Sequence, residues 1–401
     1  MLVYKTMKVL AGCVATVLFN RKYLRNEIKG KSGAMVILGN HEAALDFTTL
    51  VSATKRPITF VVSDSFYHTL PLRKFMKMIG VIPKQQFQTT INEIARMRSV
   101  IKDDGILMFY PSGLMSKDGL ETPIPSHTHK FLQWLGADVY AARTSGTYFC
   151  TPKWSGKIRP GRTYMDIYKI IDKDELHDMT EEQIRERVEG ALSFDAYREQ
   201  EKLMVKYLGC ENIEGLEHVL YICPHCKKEF SISVRDKSTL YCTECGFAHT
   251  SDKYGFLHNT GTTPEEIRYV SDWSRAIYDQ TREMIESGEL SELSSKATIQ
   301  TIDLDKKKYV DVGYGTVTLT REHFVVEGTI NGEDTKIEVP LCNFASIPYK
   351  PGCRIEVQHN HITYRCVLED GKLASKFVYM VENFYQAKQC DKTEEIIKAT
   401  V

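Results

Sequence analysis

The chain has 401 residues, 42% of them hydrophobic and 26% charged, a balance that gives material for more than one core and excludes a largely disordered protein. Its formal charge is zero, yet residues 1–100 hold 15 Lys and Arg against 5 Asp and Glu, leaving the first quarter at +10 and the remainder at −10. A basic segment of this kind suits an anionic surface or carrier, and without interleaved aromatic platforms it gives no reason to expect nucleic acid.

In chain order, the first element is the apolar run Val9 to Phe19, set between Lys8 and Arg21-Lys22. It is shorter than the roughly 20 residues that a spanning helix needs. Two readings remain, an interfacial helix with its basic flanks at lipid headgroups and a helix packed on the first core. Leu10-Ala11-Gly12-Cys13 matches a lipoprotein cleavage consensus, but only Val9 separates it from Lys8, so the apolar stretch before a cleavage site is missing. From Met35 to Ile170, strand-like runs (Met35 to Leu38, Thr59 to Val62, Ile106 to Phe109, Val139 to Ala142, Met165 to Ile170) alternate with helical ones such as Thr90 to Lys102. The alternation predicts an α/β domain, a mixed sheet flanked by helices.

Asn40-His41-Glu42-Ala43-Ala44-Leu45-Asp46 follows the first of those strands. Residues five apart on a straight helix point about 140° from each other, so His41 and Asp46 meet only if His41 lies in the turn before a helix. Asp46 then holds one imidazole nitrogen and leaves the other to take a proton. The alternative is a capping Asn40 beside an incidental His and Asp. Downstream stand Ile79-Gly80-Val81-Ile82-Pro83-Lys84 and Phe109-Tyr110-Pro111-Ser112-Gly113-Leu114-Met115-Ser116.

These three blocks, in this order, resemble the glycerolipid acyltransferase family, whose patterns are N-H-x4-D, G-x-x-x-[DP]-[RK] and F-P-E-G-T-R-S. The resemblance covers roughly the first two hundred residues. It implies that His41 is the general base on an acceptor hydroxyl and Asp46 its orienting partner. It also implies that Lys84, Pro111, Ser112, Gly113 and Ser116 border the acceptor, with no serine or cysteine nucleophile. Ser112 stands where the family has Glu and Met115 where it has Arg, which removes a cation for the acceptor's phosphate. Lys84 keeps the basic position of the second block as a point charge, without the bidentate grip of Arg. Arg143 is a candidate for the missing charge.

The function so implied is O-acyl transfer from acyl-CoA or acyl carrier protein to a lysolipid, 1-acylglycerol-3-phosphate foremost, in phospholipid synthesis. Its expected place is the cytoplasmic side, peripheral on the inner face of a membrane. The alternative is a catalytically inactive scaffold or lipid-binding protein on the same fold.

Thr180-Glu181-Glu182-Gln183 is a capping box opening a charged helix that runs to about Tyr207. Cys223, Cys226, Cys242 and Cys245 form two C-x-x-C pairs with fifteen residues between them, the pattern of a structural zinc ribbon, against a redox or disulfide reading of the same pairs. Phe230 to Val234 and Thr239 to Tyr241 are its expected strands, and His225 and His249 are nearby alternative ligands. Cys13, Cys150, Cys210, Cys342, Cys353, Cys366 and Cys390 are expected as free thiols. Thr263-Pro264-Glu265-Glu266 predicts the start of a connecting helix ending near Gly288.

After the Ser-rich stretch 287–295 the period becomes two, predicting strands Ala297 to Leu304, Gly315 to Thr320, Phe324 to Ile330, Thr335 to Val339, Arg354 to His359 and Ile362 to Leu368, then a helix from Ser375 to Gln386. This order resembles, in architecture only, the β-rich pleckstrin-homology-like barrels with a terminal helix, the GRAM group among them. His359-Asn360-His361 reads as a polar hairpin tip. The expected division is 1–208 acyltransferase-like, 219–258 ribbon, 262–290 helix and 296–390 β domain.

Overall fold

In the computed structural model, which describes residues 2–69, 73–86, 90–341 and 344–400, the chain divides into two compact units. Met1–Asn212 with Ser251–Phe256 make one, and Ile213–Thr250 with Leu257–Val401 the other. The ribbon, the connecting helix and the C-terminal strands thus share a unit.

The first unit is built on seven strands, β1 (Lys22–Asn26), β2 (Met35–Gly39), β3 (Ile58–Ser63), β4 (Ile82–Lys84), β5 (Ile106–Phe109), β6 (Asp138–Ser145) and β7 (Tyr164–Ile171), in the order β1-β7-β6-β2-β5-β3-β4. Strands β6, β2, β5, β3 and β4 are mutually parallel and β7 runs against β6. Strand β2 is buried at all five positions because helices cover both faces. Val36, Leu38, Leu107, Val139 and Ala141 face a core with Met97, Leu132 and Val188 of three helices. Met35, Ile37, Met108, Tyr140 and Ala142 face another with Leu50, Val51 and Ala11. Parallel strands end on the same edge, so Lys84, the last residue of β4, and the segments after β2 and β5, which hold His41 and Tyr110, all lie there, where open α/β sheets bind ligands.

The helix Leu2–Val17 buries Ala11 and Ala15 and leaves Val9 at 64%, Leu10 at 61% and Val17 at 77% exposure. Among the described residues no helix is long and apolar enough to cross a membrane. Thr90 and Thr180 both cap their helices in capping boxes. The second of these stops at Leu192 instead of running to Tyr207, because Asp195 caps a new helix, Ala196–Leu203, accepting from the Tyr197 and Arg198 amides.

In the second unit, β8 (Ile232–Arg235), β9 (Thr239–Cys242), β10 (Ala248–Ser251) and β11 (Leu257–Asn259) form the ribbon's sheet. Thr263-Pro264-Glu265-Glu266 does not start a helix. That stretch stays extended because Glu265 pairs with His225 at 2.7 Å, the Ile267 amide donates to His249 Nε2 at 3.2 Å and the Leu257 amide donates to the Arg268 carbonyl at 2.9 Å. Pairing with the ribbon overrides the local cap, and the helix begins later, at Val270–Glu286. Trp273 Nε1 of this helix donates to the Ile222 carbonyl at 2.8 Å, and Lys376 of the terminal helix Leu373–Thr400 meets Glu229 at 2.7 Å.

Strands β12 (Glu292–Asp303), β13 (Lys308–Thr320), β14 (His323–Ile330), β15 (Glu333–Pro340), β16 (Tyr349–Lys350), β17 (Arg354–His359) and β18 (Ile362–Leu368) form one antiparallel sheet in the order β15-β14-β13-β12-β18-β17-β16. The expected barrel is not closed. Strands β15 and β16 are the two edges of an open sheet, with no ladder joining them among the described residues. Asn331 and Gly332 take φ of 54° and 84° in the turn between β14 and β15, and Asn360 and His361 also have positive φ in the tip between β17 and β18.

Candidate active site and metal centre

Strand β2 ends at Gly39, and the chain then turns so that Asn40 is buried against β6. Its side-chain amide donates to the Thr144 carbonyl at 2.8 Å and its oxygen accepts from the Thr144 amide at 2.7 Å. Asn40 is therefore a clamp that fixes the exit of β2, not the helix cap of the alternative reading. His41 and Glu42 follow outside any regular element, and the helix Asp46–Leu50 begins at Asp46 itself. The carboxylate folds back over its own turn. One oxygen, Oδ2, lies 3.1 Å from His41 Nδ1 and accepts from the Ala43 amide at 2.9 Å.

Side-chain exposure is 17% for His41 and zero for Asp46, so the carboxylate is shut away while the imidazole is reachable. With Nδ1–H donating to Asp46, Nε2 is the acceptor, and it has no partner among the described residues. The turn after β5 closes on the same histidine, for the Ser116 amide donates to the His41 carbonyl at 2.8 Å. The ring of Tyr110 is stacked on the imidazole.

Glu42 turns the opposite way, into the protein. Its Oε2 accepts from Thr147 Oγ1 at 2.8 Å and the Tyr148 amide at 3.0 Å, and its Oε1 has no partner among the described residues. Burial, reinforced by the charges of Glu199 and Asp46, pushes its carboxyl well above the usual carboxylate range. Glu42 thus bonds away from the imidazole, and among the described residues Asp46 is the carboxylate on His41.

The remaining residues of the motifs are placed unequally. Gly113 has φ of 68°, and its amide donates to the Tyr110 carbonyl at 3.0 Å, closing the tight turn that carries Pro111 and the buried Ser112. Ser112 Oγ donates to the Leu114 carbonyl at 3.2 Å, and the buried Ser116 Oγ accepts from the Gly119 amide at 2.9 Å, so both hydroxyls shape the turn. Gln86, two residues past Lys84, donates to the Gly113 carbonyl at 2.6 Å and links the second and third motifs. Lys84 donates to the Gln85 carbonyl at 2.9 Å, and burial lowers its pKa. The Arg143 guanidinium lies 2.6 Å from Glu199, which also takes the Ser145 hydroxyl. Asn40, Glu42 and Tyr110 stand inside or beside the motifs, yet only their partners across the sheet reveal what they do.

In the second unit the thiols of Cys223, Cys226, Cys242 and Cys245 all lie within 4.8 Å of one another, with Cys223 and Cys245 at 3.6 Å and Cys226 and Cys242 at 3.7 Å. Four sulfurs about 2.3 Å from a tetrahedral ion sit about 3.8 Å apart, so the cluster fits a metal. The alternative ligands are engaged elsewhere, His225 with Glu265 and His249 with the Ile267 amide. Cys13, Cys150, Cys210, Cys353 and Cys366 are free thiols. Cys342 lies outside the described residues, as does the side chain of Cys390.

Residues 20–151 match the family model described as Acyltransferase, a span that contains His41, Asp46 and all of the turn after β5. Among solved structures, the chain is similar to the 1-acyl-sn-glycerophosphate (LPA) acyltransferase PlsC from Thermotoga maritima, with 16% identity over 50% of this chain and 79% of that chain at a TM-score of 0.42. It is also similar to the Ran binding domain of Nup2 from Ashbya gossypii, with 16% identity over 25% of this chain and 97% of that chain at a TM-score of 0.18. At these scores neither likeness carries weight in the argument. No curated protein matches the chain. The segment that builds the His41–Asp46 pair thus lies within the stretch that matches the acyltransferase model, the family that the chain's motifs resemble.

Proposed function

We propose that this protein transfers a fatty acyl group from an acyl thioester, acyl-CoA or acyl carrier protein, to the hydroxyl of a lysolipid, with 1-acylglycerol-3-phosphate the foremost acceptor. The observation that carries the reading is the make-up of the dyad, a fully buried carboxylate on Nδ1 of a partly exposed imidazole. His41 Nε2 takes the acceptor's proton as its oxygen attacks the thioester carbonyl, and Asp46 offsets the imidazolium charge. As the C–S bond breaks, the imidazolium returns that proton to the leaving thiolate. Lys84 and the turn of Pro111, Ser112, Gly113 and Ser116 border the acceptor's head, with Arg143, paired to Glu199, the further candidate for a charge there.

The exposed stripe of Val9, Leu10 and Val17, with basic Lys22 beyond it, is proposed to rest on an anionic bilayer on the cytoplasmic side, giving access to a membrane-held acceptor. In the second unit, zinc held by the four cysteines is proposed to be structural, since four thiolates leave it no open position.

The test is acyl transfer by purified protein on vesicles, with a labelled donor and lysolipids with and without phosphate, alongside His41→Ala. Activity that falls about 10³-fold in a variant that stays folded is the expected result. Equal activity in the variant would remove His41 as the base, and no transfer from folded wild-type protein with any acceptor would leave the scaffold reading in its place.

A further inference from the structure

The third motif of this chain carries Tyr110 where the resembling pattern has Phe, and its ring does more than fill space. Its centroid lies 4.0 Å from that of His41, with 13° between the planes. The ring is wedged from behind by the end of β2. A Cβ on Gly39 would come within 2.6 Å of Tyr110 Cε1 and 2.8 Å of Met108 Cε, so the missing side chain at Gly39 is what makes room for the stack. The turn closed by the Gly113 amide on the Tyr110 carbonyl holds the same residue from the chain side. The imidazole is thus held along its edge by Asp46 and across its face by Tyr110.

We infer that Tyr110 is a positioning residue for the proton transfer, holding His41 at the angle that presents Nε2 outward and stabilising the imidazolium through its ring face. The inference rests on the acyltransferase reading for its consequence and on the stack for its cause. A cation over an aromatic face is attracted by the ring quadrupole, and the attraction exists only after His41 has taken the proton, so it favours the charged intermediate over the resting base. Burial, with a smaller contribution from Asp46, raises the Tyr110 phenol well above its ordinary pKa, so the ring remains a neutral partner. Among the described residues, the titratable groups in contact with the imidazole are Asp46 at its edge and Tyr110 at its face, while Glu42 bonds to Thr147 and Tyr148.

Two variants test this. Tyr110→Phe keeps the ring and removes the hydroxyl, and Tyr110→Leu keeps an apolar volume and removes the ring. In the vesicle assay, Tyr110→Leu is expected to lose about three- to tenfold in kcat with the acceptor KM unchanged, and Tyr110→Phe to stay within about twofold of wild type. In parallel, the NMR titration midpoint of His41 should fall by about half a unit in Tyr110→Leu and hold in Tyr110→Phe, a readout that needs no turnover. A folded Tyr110→Leu with the wild-type midpoint would overturn the inference, as would Tyr110→Phe losing as much as Tyr110→Leu. Failure of acyl transfer in wild type alongside a shifted midpoint would sink the acyltransferase reading and keep the stack.

Discussion

The His41–Asp46 pair and each C-x-x-C pair of the four-cysteine cluster are made from residues a few positions apart, and the two are opposite kinds of site. The cluster is saturated, with four sulfurs that satisfy one another's geometry around a single centre. The dyad is left incomplete, since the partly exposed His41 has no partner at Nε2 among the described residues. A saturated site gives its energy to the fold, and an unsaturated one keeps reactivity for a substrate. Removing a ligand from the first should therefore unfold its unit, and removing a partner from the second should stop chemistry and leave the fold standing.

The largest effect is expected at the cluster. Stripping the metal, or Cys226→Ser, should cost on the order of 10 kcal/mol of local folding energy. Limited proteolysis would then cut within residues 213–250, while the first unit stays resistant. Intact, protease-resistant protein after complete chelation would break the contrast at once.

Next comes the dyad's own carboxylate. Asp46→Asn preserves an oxygen for the Ala43 amide but removes the charge that holds the His41 tautomer, so kcat should fall about 10²- to 10⁴-fold with little change in melting temperature. Equal losses of stability and activity would make the dyad a structural feature like the cluster.

The smallest effect, of opposite sign, belongs to Glu42. Its folded pKa lies above its unfolded value, so its contribution is intact below the unfolded pKa of about 4.3 and is lost as pH rises through the folded pKa. Glu42→Gln, neutral throughout, should melt with wild type near pH 4 and above it near pH 8. Melting curves at the two pH values decide it, and a variant no more stable at pH 8 would show that Glu42 is ionised in the fold.

Much of the architecture was legible because it is local. The strand runs at 106–109, 354–359 and 362–368 emerged with the bounds that their patterns predicted, and Thr180 caps as its spacing implied. Locality also explains the failures. Thr263-Pro264-Glu265-Glu266 has the chemistry of a helix start, but hydrogen bonds to residues of the ribbon hold it extended. The strands β1 and β4 escaped notice because Lys22–Asn26 and Ile82–Lys84 are short and their partners lie far away in sequence. That Arg143 pairs with Glu199, fifty-six residues on, was hidden for the same reason.

By itself, then, the sequence determined the alternation that builds an α/β unit, the period-two strands of the second, the two cysteine pairs at metal-ligand spacing and the one separation at which a histidine and an aspartate meet across a turn. These are properties of residues within one or two turns of each other. Tertiary structure alone decided that Asn40 clamps β2 to β6, that Glu42 faces inward while His41 faces outward, that Gly39 leaves room for Tyr110 and that the C-terminal sheet stays open. Each of those depends on a partner brought close by packing, and no local propensity encodes the distance to it.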